Sequence, residues 1–221
     1  SSDVCSSDLS SFAKSLGVTF DDTMSFDNQI SNVCKSSFYS LRNISRIRKY
    51  LDKESAATLI HAYITSKLDY CNSLLVGMPK FQLQRLQYVQ NTAARVVCQG
   101  RKYDHITPML QELHWLPIHY RTVFKIILTV FKCLNTEAPE YLKRKLHYRQ
   151  YPRSLRSVSN KLLKEPRSRT KTYGDRAFSN IAPRLWNSIP NEIRNITNIQ
   201  TLKTKLKTYF FKKYLDNSSL F

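Results

Sequence analysis

Carboxylates are what this sequence is short of. Only 16 Asp and Glu stand against 35 Lys and Arg in 221 residues, a formal charge of +19. Such an excess excludes a charge-balanced surface and calls for a polyanionic partner, of which nucleic acid is the simplest and a membrane surface the rival. Long apolar runs are missing too. No stretch approaches the roughly 18–20 apolar residues that cross a bilayer, and the N-terminus has neither the charged nor the apolar part of a signal peptide. The expected location is therefore intracellular, in cytoplasm or nucleus, with no membrane partner. The five cysteines (Cys5, Cys34, Cys71, Cys98, Cys133) include no Cys-x-x-Cys pair and are odd in number. That argues against a disulfide framework and against a zinc site, and leaves reduced core thiols. His105, His114 and His119 do not share a helical face and have no carboxylates gathered around them, so they are read as structural. No acid, base or metal constellation of a hydrolase or nuclease is visible.

What is present is ample apolar material: 42% hydrophobic and 12% aromatic residues, enough to bury a core. The pattern predicts a mainly α protein, a helical bundle with a minor β component. Its organising stretch is Glu54 to Cys98. Ala56, Leu59, Ile60, Tyr63, Ile64 and Leu68 recur at steps of three and four, as one helical face requires. Gly77 and Pro79 then read as a helix stop. Leu83, Leu86, Val89, Ala93 and Val96 or Val97 form a second stripe, with Gln84, Arg85, Gln87, Asn91 and Arg95 outside it. A helical hairpin is expected.

Around it the chain reads as follows. Leu16 to Phe26 alternates loosely and suggests a short hairpin, with Asp21 and Asp22 in a turn role. Thr107 and Pro108 look like an N-cap and first helical position, and Trp115, Leu116 and Pro117 like a buried corner ending that helix. Thr122 to Leu134 is apolar almost all round, which marks a central helix. Phe178, Leu185 and Trp186 return to the core, Trp186 as an anchor rather than a platform for bases. Asn198 is placed to cap a last helix whose apolar stripe is Ile199, Leu202, Leu206, Tyr209 and Phe210.

Two stretches carry the candidate binding residues. In Ser25 to Leu51, Ile30, Val33, Leu41, Ile44 and Leu51 fall on one face, and Lys35, Arg42, Arg46 and Lys49 on the opposite one. The competing reading is a solvated charge stripe. Lys143 to Arg176 holds twelve basic residues against two acids, with Tyr148, Tyr151 and Tyr173 interleaved. Arg149, Arg153, Arg156, Arg167 and Arg169 are its candidates for phosphate contacts, beside rings on which unpaired bases stack. Pro152 and Pro166 predict extended segments or a small hairpin; the alternative is a flexible basic linker.

Four blocks in order, SKLDYCNSLLVGMP with LQRLQYVQNTAARVV, then HITPMLQELHWLPIHYR, then YGDRAFSNIAPRLWNSIP, resemble the region after the palm in reverse transcriptases of non-LTR (LINE-type) retrotransposons, nearest the chicken-repeat and jockey-like kinds. The resemblance runs from about Leu16 to Phe211. It implies a thumb-like helical region at 12–140 and a basic connector with a C-terminal helix at 141–221, preceded by a tip at 1–11 that resembles a translated adaptor or a disordered serine-rich end. It further implies a non-catalytic fragment of an RNA-directed DNA polymerase. Its partners would be RNA, an RNA–DNA duplex, and the palm and fingers of the parent enzyme. Asp21 and Asp22 lack the aromatic residue that precedes the family's paired aspartates, since position 19 is Thr. No cofactor is therefore expected in this chain, the parent polymerase using Mg²⁺ in its palm. Gln29 stands where the family commonly has His, and Leu202 before Lys203 where it has Phe. The alternative function is a domesticated fragment that acts as a helical protein-interaction module.

Overall fold

The computed structural model describes residues 11–135, 138–150, 161–170 and 172–216. The fold is mainly α, a helical bundle with one small sheet. β1 (Phe12–Ser15) and β2 (Val18–Asp21) pair antiparallel with Ser15 opposite Val18. The two turn residues, Leu16 at φ 47° and Gly17 at φ 79°, both take the left-handed backbone that matches strand twist in a two-residue hairpin. The expected hairpin exists but starts earlier, at Phe12. Asp21 ends it: its carboxylate accepts from the backbone N–H of Ser25 (2.6 Å) and Phe26 (2.7 Å) and from the Thr23 hydroxyl (2.8 Å). Burial pushes that carboxyl up, but the donors together outweigh it and hold it below the usual carboxylate range. The turn role is what the structure shows for Asp21.

α1 (Asp27–Ile47) follows, closed by a 3₁₀ turn at Arg48–Tyr50. Ile30, Leu41 and Ile44 are buried in the cluster that α1 forms with α4 (Lys80–Cys98), and the small Ser37 is fully buried on the same face. Between them runs a rod over 53–69, made of α2 (Lys53–Ile60), a π-helical widening at His61–Thr65, and α3 (Ser66–Asp69). The N–H of Ser55 donates to Asp52 and starts the rod. Its buried apolar residues are Ala56, Ile60, Ile64 and Leu68, strictly four apart, with Thr65 buried beside them. In a uniform α-helix a step of four overshoots one turn by about 40°, so three steps drift the stripe by roughly 120°. The wider π turn absorbs part of that drift. Leu59 is left at the margin, and Tyr63, expected in the core, is 55% exposed.

The hairpin of helices is present, yet its stop lies earlier than expected. The rod ends at Asp69, where Cys71 takes φ 51° ahead of a 3₁₀ turn at Asn72–Leu75. Gly77 does adopt φ 70°, but as the corner before Pro79, which begins α4 rather than ending the first helix. A Cβ at Gly77 would meet the Arg176 side chain at 2.9 Å. Glycine is needed there for both reasons.

α5 (Ile106–Glu112) has His105 at its N-cap position, two residues before the expected Thr107. Pro108 is accommodated as its third residue because first-turn N–H groups need no helical acceptor. The Thr107 hydroxyl instead meets that of Tyr214 at 3.1 Å. Trp115, Leu116 and Pro117 make the buried corner that the sequence suggests. Two glutamines of α4 fasten it: Gln90 donates to Leu116 O (2.8 Å), and Gln87 accepts from the N–H of Ile118 (2.8 Å), the first residue of α6 (Ile118–Leu134). Gln87, which periodicity puts outside, thus caps a helix.

α6 is the central helix. Its start belongs to a first apolar cluster with Ile30, Ile60, Leu86, Val89 and Leu110. Its length, through Val123, Ile127 and Val130, belongs to a second with Leu163, Leu185, Trp186, Leu202, Leu206 and Phe210. The second cluster is closed by α7 (Glu140–Lys143), α8 (Phe178–Ser188), α9 (Asn191–Arg194) and α10 (Ile199–Leu215). Asn198 caps α10 as expected, accepting from Gln200 and Thr201. Trp186 is 1% exposed and donates from its ring nitrogen to Lys161 O (3.0 Å), so it is an anchor. Truncating such a side chain to Ala costs about 3–5 kcal/mol. Arg194 donates to the carbonyls of Asn187 and Ile189 and so terminates α8. Among the described residues no helix is long and apolar enough to cross a membrane.

Candidate nucleic-acid interface

α1 and its 3₁₀ turn contain no carboxylate after Asp27. With Ile30, Ser37, Leu41 and Ile44 facing inward, the opposite side presents Lys35, Arg42 and Arg46, with Lys49 following in the 3₁₀ turn, all four exposed. None pairs with a carboxylate among the described residues. Tyr39, 67% exposed, falls between Lys35 and Arg42, so that 35, 39, 42, 46 and 49 step by four, three, four and three. That spacing keeps them on one side of a helix about 31 Å long at 1.5 Å per residue. The Lys49 ammonium lies 4.7 Å over the Tyr50 ring, itself exposed.

Arg48, between Arg46 and Lys49 in sequence, does something else. Its guanidinium donates to Val96 O (2.9 Å) and Val97 O (2.8 Å) at the end of α4 and to Leu51 O (2.6 Å) just after its own turn. Five cations in this stretch therefore divide into four that face solvent and one that closes the fold.

The second basic stretch divides in the same way. Arg149, Arg167 and Arg169 are exposed; Arg153 and Arg156 lie outside the described residues. Tyr148 bridges Leu163 antiparallel, with Arg149 N–H to Leu162 O (2.9 Å) and Lys164 N–H to His147 O (2.8 Å), so the small extended pairing expected here is present. The Asn187 amide matches both backbone groups of Leu163 at 2.9 Å and ties this strand-like piece to α8. Arg176 faces inward: it donates to Met24 O (2.8 Å), Leu74 O (3.1 Å) and Val76 O (3.3 Å), and covers the Phe26 ring at 5.5 Å. Burial pulls its guanidinium below the ordinary value, while the charge of Asp21 pulls it back. Tyr173 donates to Asp22 O (2.6 Å). Asp22, Met24 and Phe26 lie just before the start of α1, and Leu74 and Val76 in the turn before α4, all at the far end of these helices from Lys49. The structure thus groups Lys35, Arg42, Arg46 and Lys49, and does not merge them with the fastening point of the second stretch.

Beside Lys49 lies a groove of about 810 Å³ between the ends of α1 and α4, which periodicity did not indicate. Lys49, Tyr88, Asn91, Arg95, Lys102 and Tyr103 line it. No Asp or Glu does. Tyrosines at 39, 50, 88 and 103, all more than half exposed, were the available signal, since large rings left in water ask for an explanation. Elsewhere, no group of three His, Cys, Asp or Glu among the described residues is placed to hold a metal ion. Cys34, Cys71 and Cys98 are half-buried and Cys133 is buried, all as free thiols. Burial pushes the thiols of Cys34, Cys98 and Cys133 up, which makes them less reactive. No protein-family model matches this chain, and no curated protein or solved structure shows a significant match to it.

Proposed function

We propose that this chain is the nucleic-acid-holding, non-catalytic C-terminal part of a reverse transcriptase of the non-LTR retrotransposon type, and that α1 faces the phosphates of an RNA–DNA template-primer duplex. The observation that carries this reading is the exposed run Lys35, Tyr39, Arg42, Arg46 and Lys49 on a helix face without a carboxylate partner among the described residues. A solvated surface helix ordinarily mixes both signs of charge at steps of three and four, because each such pair adds a few tenths of a kcal/mol. Here only one sign is present, which suits a fixed row of phosphates. Arg149, Arg167 and Arg169 extend the basic surface. Catalytic carboxylates and their Mg²⁺ would belong to a palm outside this chain.

The test is the salt dependence of duplex binding. Removing one cation that neutralises a phosphate lowers the slope of log K against log salt by roughly one. The Arg42→Gln/Arg46→Gln variant should therefore lower it by about two, for any duplex sequence. An unchanged slope in a folded variant would reduce the stripe to a solvated face.

A further inference from the structure

The groove at the C-terminal end of α1 carries more charge than the fold uses. Helix C-termini attract cations, and the C-terminal ends of α1 and α4 together present a partial charge equivalent to roughly −1. Against that stand Arg48, Lys49, Arg95 and Lys102, four positive charges with no carboxylate among the lining residues. Arg48 alone satisfies three backbone carbonyls. Arg95 reaches one more, Asp104 O at 3.3 Å, yet its Nε is buried without an acceptor. Lys49 and Lys102 are exposed, each lying over a tyrosine ring, Tyr50 at 4.7 Å and Tyr103 at 5.4 Å. The balance of charge favours an anion here.

The rings say what kind. Tyr88 is 60% exposed and held from behind by Phe38, ring centroids 5.8 Å apart; Tyr103 is 89% exposed. Exposed tyrosine faces beside cations are the combination that binds unpaired nucleotides, the ring taking a base and the cations its phosphates. Asn91, which accepts from Gln87 (2.7 Å), adds an amide able to donate to a base edge or sugar. The volume falls within the roughly 300–1,000 Å³ typical of small-molecule sites. We infer that this groove seats an unpaired nucleotide of a single-stranded tail running off the duplex that α1 holds. Lys49 belongs to both surfaces and is the point at which strand passes from one to the other. The inference rests on the duplex-facing reading of α1.

The experiment compares a blunt RNA–DNA duplex with the same duplex carrying a single-stranded tail, by fluorescence anisotropy on the whole chain. Wild type should prefer the tailed duplex by about tenfold, the size expected of one stacked base. Tyr88→Ala/Tyr103→Ala should abolish the preference and leave blunt affinity and its salt slope unchanged. Tyr88→Phe/Tyr103→Phe should keep the preference, which separates stacking from a folding defect. Lys102→Gln should lower the salt slope for the tailed duplex only, by roughly one. Equal wild-type affinity for the two duplexes, or a preference that survives the alanine variant, overturns the groove while the α1 reading stands. Failure to bind either duplex overturns both.

Discussion

The stretches 28–51 and 161–176 look alike in composition, each rich in cations and each carrying exposed tyrosine, and the structure uses them differently. On α1 and the 3₁₀ turn after it, four of five cations point away from the protein and the fifth, Arg48, closes a helix end. In the later stretch the basic and aromatic residues help to fix its position, alongside buried Leu163: Arg176 gathers three carbonyls and Tyr173 a fourth. The lesson concerns the guanidinium. Its five donors in a fixed fork make it as good a clasp for backbone carbonyls as for phosphate, so a count of arginines does not measure an interface. Lysine is the cleaner indicator when exposed, because a single ammonium seldom organises a loop.

The largest test of this contrast is Arg176→Met. It leaves three carbonyls and the Phe26 ring without their partner, and bonds to a charged donor are individually worth about 1.5–3 kcal/mol. Urea denaturation should show a stability decrease of about 3 kcal/mol. Arg42→Met, by contrast, should change stability by no more than about 0.5 kcal/mol. If the two variants fall by the same amount, the division between clasp and surface fails. Next in size is Gly77→Ala, which places a side chain at φ 70° and against Arg176; the same measurement should show a decrease of about 1–2 kcal/mol.

A smaller effect follows from positive charge turned inward. Burial pulls the His119 imidazole below its ordinary value, with Lys80 and Lys213 adding to the effect; burial also lowers His61, with Arg121 adding and Asp69 opposing. A histidine whose folded value is depressed contributes stability above its unfolded value, about 6.5, and loses it as pH falls below that. The melting temperature should therefore drop between about pH 7.5 and pH 5, and His119→Asn should flatten the profile. The smallest expected effect is none: the chain alone should not extend a primer with Mg²⁺ or Mn²⁺. Asp21 is committed to its turn, and no carboxylate cluster is placed for two-metal chemistry among the described residues. Extension that tracks the purified protein would contradict this.

What the sequence made legible were features with local causes. The apolar face of α1, the Asn198 cap, the corner at Trp115 and the interior course of α6 each follow from spacing or from one residue's hydrogen-bonding habit. The opposite, cationic face of α1 was legible for the same reason. What was not legible were roles set by partners distant in sequence. Arg176 sits 100 residues from Val76 and Gln87 31 residues from Ile118, and nothing near either residue announces the bond. The groove was hidden likewise, since Lys49 and Tyr103 come to line one groove only through the packing of α1 on α4. Tyr63 failed for a subtler reason: periodicity assumes a uniform helix, and this one widens.

That widening at His61–Thr65 has a consequence for how the rod tolerates change in length. The rod carries, in effect, one residue more than an α-helix would need between Ile60 and Leu68, eight positions apart. Seven positions in a regular α-helix return to within about 20° of the starting direction. Deleting the exposed Ala62 should therefore let the segment relax to ordinary α geometry with Leu68 still under Ile60, whereas a deletion in α2 would swing everything after it by about 100°. Thermal melting of the two deletions would tell them apart. The strip between those residues is the place where this chain can lose a residue and keep its shape.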